Sequence, residues 1–237
     1  MALRHLGVAN MLQLYIANKN YSSWSLRPWV LMQELAIPFE EKLQHFLPGS
    51  SYTAFKTFSP SGKVPCLVDG DIVVWDSLSI AEYVAEKNPR VWPEDRGARA
   101  WARSAAAEMH SGFGSLREQC GMSCGIRVKL HQIGPDLQRD LDRLSELWNE
   151  GLKRFGGPFL AGKAFTAVDA FFCPVAFRIQ TYGLKLDDAS LQYAARLRDL
   201  PSMRSWYEAA LRETFRDEPH DEDTRRYGTW LQDLRAG

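Results

Sequence analysis

Three things are scarce in this sequence, and each scarcity narrows what the chain can be. Charge of one sign is not in excess: 29 Lys and Arg stand against 29 Asp and Glu in 237 residues, for a formal net charge of zero. A dedicated nucleic-acid binder normally carries a basic surplus, so no nucleic-acid partner is expected. Long apolar runs are missing, since none approaches the roughly 20 residues that a membrane-spanning helix needs. The first ten residues, MALRHLGVAN, hold no stretch long enough for a secretory signal. They read as a loose N-terminal extension, and the expected location is the cytoplasm, without membrane contact. Cysteine is sparse and scattered, at Cys66, Cys120, Cys124 and Cys173. Cys120 and Cys124 could share a helix face, with His110 and His131 nearby, but the spacing matches no closed zinc pattern. No metal is expected, and the thiols read as idle in a reducing compartment. There is no internal repeat and no low-complexity tract.

What is present is an ordinary globular composition, 45% hydrophobic and 24% charged. Residues 11–17, MLQLYIA, form a short apolar run that predicts a strand. A serine-rich loop follows. Leu26, Val30, Leu31 and Leu35 then recur at helical spacing. Pro28 is tolerated in a first turn, which puts the helix start near Ser23 to Ser25. A second strand is read in residues 37–46 and a short helix in residues 52–60. Two β-rich runs, residues 64–68 and 72–75, are joined by DGD, a hairpin signal. Asp76 or Ser77 then caps a helix that Pro89 ends.

Residues 90–97 break the pattern and read as a linker. Beyond them no strand is expected. Residues 98–119 read as one long helix. Residues 135–155 carry Leu137, Leu141, Leu144, Leu147 and Trp148 on an amphipathic face. Residues 166–183 are nearly all apolar and predict a buried helix. Two further helices are split by Pro201, and a last helix is expected to turn Trp230 and Leu231 inward. The expected architecture is an α/β domain (residues 11–89), the linker, and an all-α domain (residues 98–237).

Three features of the first domain belong together. Val64–Pro65 opens a strand, and a proline there sits at an edge, in a loop or in a cis bond that exposes the Val64 N–H and C=O. Asp76–Ser77 is a helix cap, and equally a carboxylate and ammonium site at a helix N-terminus. Ser22, Ser23 and Ser25 crowd the mouth of the first helix, as caps or as anion ligands. In this order, SPSGKVPCLVDGDIVVWDSLSIAEYV and the later FTAVDAFF resemble the soluble glutathione transferase family across nearly the whole chain after residue 10. In FTAVDAFF, Thr166 and Asp169 are similar to the capping box of that family's buried helix.

The resemblance implies a thioredoxin-like first domain with Pro65 cis, and glutathione as co-substrate without metal. It implies that Val64 pairs with the cysteinyl part of glutathione, Asp76 and Ser77 hold the γ-glutamyl end, and Lys63 approaches the glycyl carboxylate. A first-loop serine would donate to the sulfur. YSSWSLR is similar to the zeta-class S-S-C-x-x-R pattern, which gives Ser22, the preferred candidate; counting back four from Arg27 gives Ser23. Trp24 replaces the zeta cysteine, which weighs against a specific maleylacetoacetate isomerase and against an omega-type thiol transferase. Cys66 is expected in the core. The pocket for the electrophile is expected between the domains, with Trp24 and Trp29 as walls and Met109, Phe113 and Arg117 in a stripe along one helix. His110 falls off that stripe. The expected activity is attack of a glutathione thiolate on a small electrophile. A glutathione-dependent cis–trans isomerase and a non-catalytic binding protein are the alternatives, and the resemblance implies a homodimer.

Overall fold

The computed structural model describes residues 11–237; the expected N-terminal extension lies outside the described residues. Strand β1 (Leu12–Ile16) and strand β2 (Phe39–Leu43) pair in parallel, with Leu12 opposite Phe39 and Ile16 opposite Leu43. Parallel neighbours need a crossover, and helix α1 (Ser23–Glu34) supplies it. After the short α2 (Tyr52–Phe55), strands β3 (Cys66–Asp69) and β4 (Ile72–Trp75) form a hairpin, and the sheet runs in the order β2-β1-β3-β4. Asp69 pairs with Ile72, so Gly70 and Asp71 make the turn, and Gly70 adopts φ +60°. That conformation strains residues with a Cβ, which is why glycine sits there. Helix α3 (Ser77–Ala85) completes a thioredoxin-like domain.

Pro89–Val91 make a 3-10 turn within the region where the chain leaves this sheet, and α4 begins at Arg96. The remainder is mostly helical: α4 (Arg96–Ser111), α5 (Gly114–Gln119), α6 (Pro135–Phe155), α7 (Ala167–Tyr182), α8 (Asp188–Arg198), α9 (Pro201–Arg212) and α10 (Glu218–Tyr227). Three expectations fail here. Strands β5 (Ile126–Leu130) and β6 (Gly228–Asp233) pair antiparallel, where no strand was expected. The alternation Ile126-Arg127-Val128-Lys129 was the missed signal. Because a strand sends successive side chains to opposite faces, Trp230 is half-buried while Leu231 is 63% exposed, rather than both turning inward on a helix. The long helix expected over residues 98–119 is two helices. Gly112 lies against the Glu108 carbonyl, where a Cβ would come within 2.8 Å, and Phe113 takes φ +55°.

The amphipathic α6 buries Leu137, Leu141, Leu144, Leu147 and Trp148 as its spacing requires. Helix α7 is buried on almost every side, and its start is closed by a full capping box between Thr166 and Asp169. The Asp169 carboxylate also accepts from the Leu160 N–H (3.0 Å) and the Tyr193 hydroxyl (2.8 Å). Burial lifts its pKa to about 6, against the pull of these hydrogen bonds. Helix α1 packs on α7. It is therefore sandwiched between the sheet and the helical part, which explains why nine of its residues are buried, Arg27 among them. Pro28 lies past the first turn, since the helix starts at Ser23.

Candidate active site

The loop before α1 is held by both halves of the chain. The Asn18 carbonyl accepts from the Tyr21 and Ser22 N–H groups at 3.1 and 2.9 Å, turning the backbone toward the helix. From the helical part, Glu213 accepts from the Lys19 and Asn20 N–H groups at 2.7 and 3.1 Å. The Trp206 indole donates to the Lys19 carbonyl at 2.9 Å. The serines that follow are thus placed before any ligand arrives.

Their hydroxyls differ in what they are bonded to. Ser22 donates to Ser25 Oγ at 2.7 Å, and Ser25 Oγ also accepts from the Ala17 N–H at 3.2 Å. Ser23 Oγ accepts from Arg178 Nη2 at 3.3 Å, and its own O–H has no acceptor among the described residues. Both serines line a cavity of about 630 Å³ together with Trp24, Lys63, Val64, Arg117 and Arg178. No side chain caps α1 among the described residues, so the positive end of its dipole lies at the cavity wall that Ser22 and Ser23 form.

A second cavity of about 430 Å³ adjoins the first and shares Trp24, Lys63 and Val64 with it. Its wall brings together Lys63, Val64, Pro65, Asp76 and Ser77, the five residues that the sequence had assigned to glutathione. The Val64–Pro65 peptide is cis. Among the described residues the Val64 N–H and C=O bond to no backbone group. Asp76 sits at φ +76° and caps α3, with Oδ1 accepting from the Leu78 and Ser79 N–H groups at 2.8 and 3.4 Å. Its Oδ2 lies 3.4 Å from His110 Nε2. Ser77 is fully buried, and its hydroxyl is without a partner among the described residues.

The electrophile stripe does not exist as expected. Met109 lies in the last turn of α4 and Phe113 immediately precedes α5, at 1% and 6% exposure, and both belong to the core rather than to the cavity wall. The break at Gly112 is the reason. Arg117 does reach the wall, with its guanidinium 5.4 Å from the Trp24 ring. Trp29 is not a wall residue either: it packs edge-on against Trp206 and donates to Glu41. Cys66 is buried, and burial raises its thiol pKa. All four cysteines are buried.

Sequence reasoning missed Arg178. It lies on α7, nearly inaccessible, and also donates to the Cys120 carbonyl. Burial pulls its pKa down to about 10. Arg27, stacked 4.1 Å over Trp24, falls to about 9 through burial and then repulsion from Arg178 and Arg117. None of these three guanidinium groups forms a salt bridge among the described residues. A lone cation in the otherwise apolar stretch TAVDAFFCPVAFRIQTYG was the available signal, because an unpaired buried charge is costly and is kept only where something answers it. Among the described residues no group of three or more His, Cys, Asp or Glu is placed to hold a metal.

A thioredoxin-like sheet, a hydroxyl at the start of its first helix, an exposed backbone edge before β3 and a helical part behind them make an arrangement similar to that of the glutathione transferases. Comparison with known proteins agrees. Residues 21–87 match the family profile described as the N-terminal domain of glutathione S-transferase. A glutathione S-transferase 1 of Dianthus caryophyllus is 28% identical over 200 residues, covering 77% of this chain and 88% of that protein. A probable maleylacetoacetate isomerase of Vibrio cholerae is 28% identical over 160 residues, covering 64% and 74% respectively. A solved glutathione transferase homolog from Burkholderia, with bound glutathione, superposes with a TM-score of 0.63 at 22% identity, covering 85% of this chain and 98% of that one. Over most of its length the chain is similar to glutathione transferases, and residues 21–87 carry the match to that family's N-terminal domain.

Proposed function

We propose that this protein binds glutathione, holds its sulfur as the thiolate and directs it at a small electrophile. The observation that carries the reading is the Ser23 hydroxyl. It stands at the start of α1, has no acceptor of its own among the described residues, and lines a cavity that shares Trp24, Lys63 and Val64 with the one lined by Pro65, Asp76 and Ser77. The free Val64 N–H and C=O suit the cysteinyl backbone. Asp76 Oδ2 suits the γ-glutamyl ammonium, the unpartnered Ser77 hydroxyl its carboxylate, and Lys63 the glycyl carboxylate. Ser23, rather than the initially preferred Ser22, donates to sulfur, because the Ser22 proton is already given to Ser25.

The magnitudes are sufficient. A free thiol titrates near 8.5, so ionisation at neutral pH asks for a shift of about two units, roughly 2.7 kcal/mol. One hydrogen bond to a charged acceptor contributes about 1.5–3 kcal/mol, and a helix N-terminus about 0.3–1 kcal/mol. No general base or metal is needed. The sulfur lone pair then forms the S–C bond. Either a leaving anion departs, or in an addition the electrophile's displaced electron pair takes a proton from water. The electrophile sits over Trp24 and Arg117.

Similarity to the Vibrio cholerae protein and the Ser22-Ser23 pair before Arg27 favour a second reading, addition and later release of the thiolate to isomerise a double bond. Homodimer formation, expected from the resemblance, belongs to the proposal and is read from the solution mass. The test of binding is titration with glutathione. Trp24 and Trp75 line the cavities, so their emission should change at millimolar ligand, together with turnover of an aryl halide. Unchanged emission with no turnover would refute the reading.

A further inference from the structure

Arg178 is a buried charge that comes from the helical part of the chain, lines this cavity and touches the Ser23 hydroxyl of the thioredoxin-like part. Its Nη2 donates to Ser23 Oγ at 3.3 Å, and its Nη1 donates to the Cys120 carbonyl at the end of α5. Its Nε has no partner among the described residues. A hydroxyl oxygen that accepts from a guanidinium becomes a better donor through its own hydrogen, because the two bonds polarise each other in the same direction. We infer that Arg178 is a positioning residue for thiol activation: it fixes the Ser23 rotamer so that the O–H points into the cavity, and its charge strengthens that donor. The inference rests on the thiolate reading above, but deepens it by adding a cross-domain residue.

Other charges face the same cavity and are answered elsewhere. Glu118 accepts from the Tyr227 hydroxyl at 2.9 Å, Arg226 pairs with Asp223 at 3.4 Å, and His220 lies 2.5 Å from Asp217. Lys63 lines the cavity too, beside Val64. Arg117 donates to the His110 carbonyl at 2.9 Å. Tyr182 and Cys120, the titratable groups nearest Arg178, are held neutral by burial. Among the described residues no carboxylate pairs with the Arg178 guanidinium, so its charge is directed at Ser23 Oγ and the Cys120 carbonyl. A purely structural Arg178 would serve only to cap α5 through the Cys120 carbonyl. The two roles separate on pH dependence, since a cap does not set the ionisation of a group at Ser23.

The experiment places a thiol at the hydroxyl position and needs no glutathione. In Ser23→Cys, the pH dependence of iodoacetamide alkylation reports the ionisation of the new thiol, the four native cysteines being buried. The expected pKa is about 7 or lower, against about 8.5 for a free thiol. Adding Arg178→Gln should raise it by about one unit, with Arg178→Met as the replacement if the glutamine variant fails to fold by circular dichroism. Adding Arg178→Lys should recover most of the shift. In the Ser23 background, Arg178→Gln should cut turnover about tenfold at pH 6.5 and leave it near wild type at pH 9, with KM for glutathione within about threefold. A Ser23→Cys thiol that titrates at 8.5 or above, or that ignores Arg178→Gln and Arg178→Met, overturns the inference. If alkylation behaves as expected while the wild type neither binds nor turns over glutathione, the proposed function fails and the role of Arg178 stands.

Discussion

Two helix N-termini open on the same cleft, and they are finished in opposite ways. Helix α1 has no side-chain cap among the described residues and is flanked by Arg27, Arg117 and Arg178, none of them in a salt bridge. Helix α3 is capped by the Asp76 carboxylate, which also faces His110. An uncapped start ringed by cations suits a bare anion, such as a thiolate. A start that carries its own carboxylate and a spare buried hydroxyl suits a zwitterion, which brings an ammonium and a carboxylate together. Helix α7 provides the control: its start is closed within its own chain by the capping box of Thr166 and Asp169. The lesson is that dipole direction is common to all three, while the side chains around each start decide what it can hold.

Substitutions can break this comparison, beginning with the largest expected effect. Asp169→Ala should cost about 3 kcal/mol or more of stability by chemical denaturation, because several buried donors lose their acceptor at once. It should not change the ionisation of bound glutathione in the protein that remains folded. The same residue gives stability a pH slope. Its folded pKa is raised to about 6 from an ordinary value near 3.9. Its contribution is therefore fullest below about pH 4, declines as the pH rises through about 6, and is flat above that. In Asp169→Asn that segment of the stability profile should be lost.

Ser23→Ala should lower turnover near pH 6.5 by about 10- to 100-fold, equivalent to about 1.5–3 kcal/mol, with rate recovering as pH rises. Asp76→Asn keeps the cap on α3 but removes its charge. Glutathione affinity should fall by about tenfold in a calorimetric titration, while the thiol pKa of what is bound stays unchanged. If Asp76→Asn moved the thiol pKa as far as Ser23→Ala does, the two helix starts would not be separate devices. Ser22→Ala should be the mildest, within about threefold in turnover, since it breaks only the bond to Ser25.

Much of this was legible in the sequence because it is local. The start of α1 falls at Ser23, within the expected Ser23 to Ser25, although Pro28 lies past the first turn that the expectation gave it; DGD marks the hairpin, and Thr166 with Asp169 marks the start of α7. What escaped depends on distant partners. Strand β5 pairs Ile126 with Asp233, more than a hundred residues away, and the alternation Ile126-Arg127-Val128-Lys129 is a short local signal that gains its meaning from that partner. The break between α4 and α5 hides in an alanine-rich stretch of high helix propensity, where one glycine against a carbonyl ended the pattern. The choice between Ser22 and Ser23 turned on whether Ser25 or Arg178 reached each hydroxyl, which no spacing rule encodes.

The central claim is that the start of α1 and the Ser23 hydroxyl keep a bound glutathione sulfur ionised at neutral pH. Thiolate absorbance of glutathione bound to the intact protein, followed across pH, tests it most directly. An apparent pKa near 6.5, about two units below the free thiol, is the predicted result; titration of the bound ligand at about 8.5, as in free solution, would contradict it.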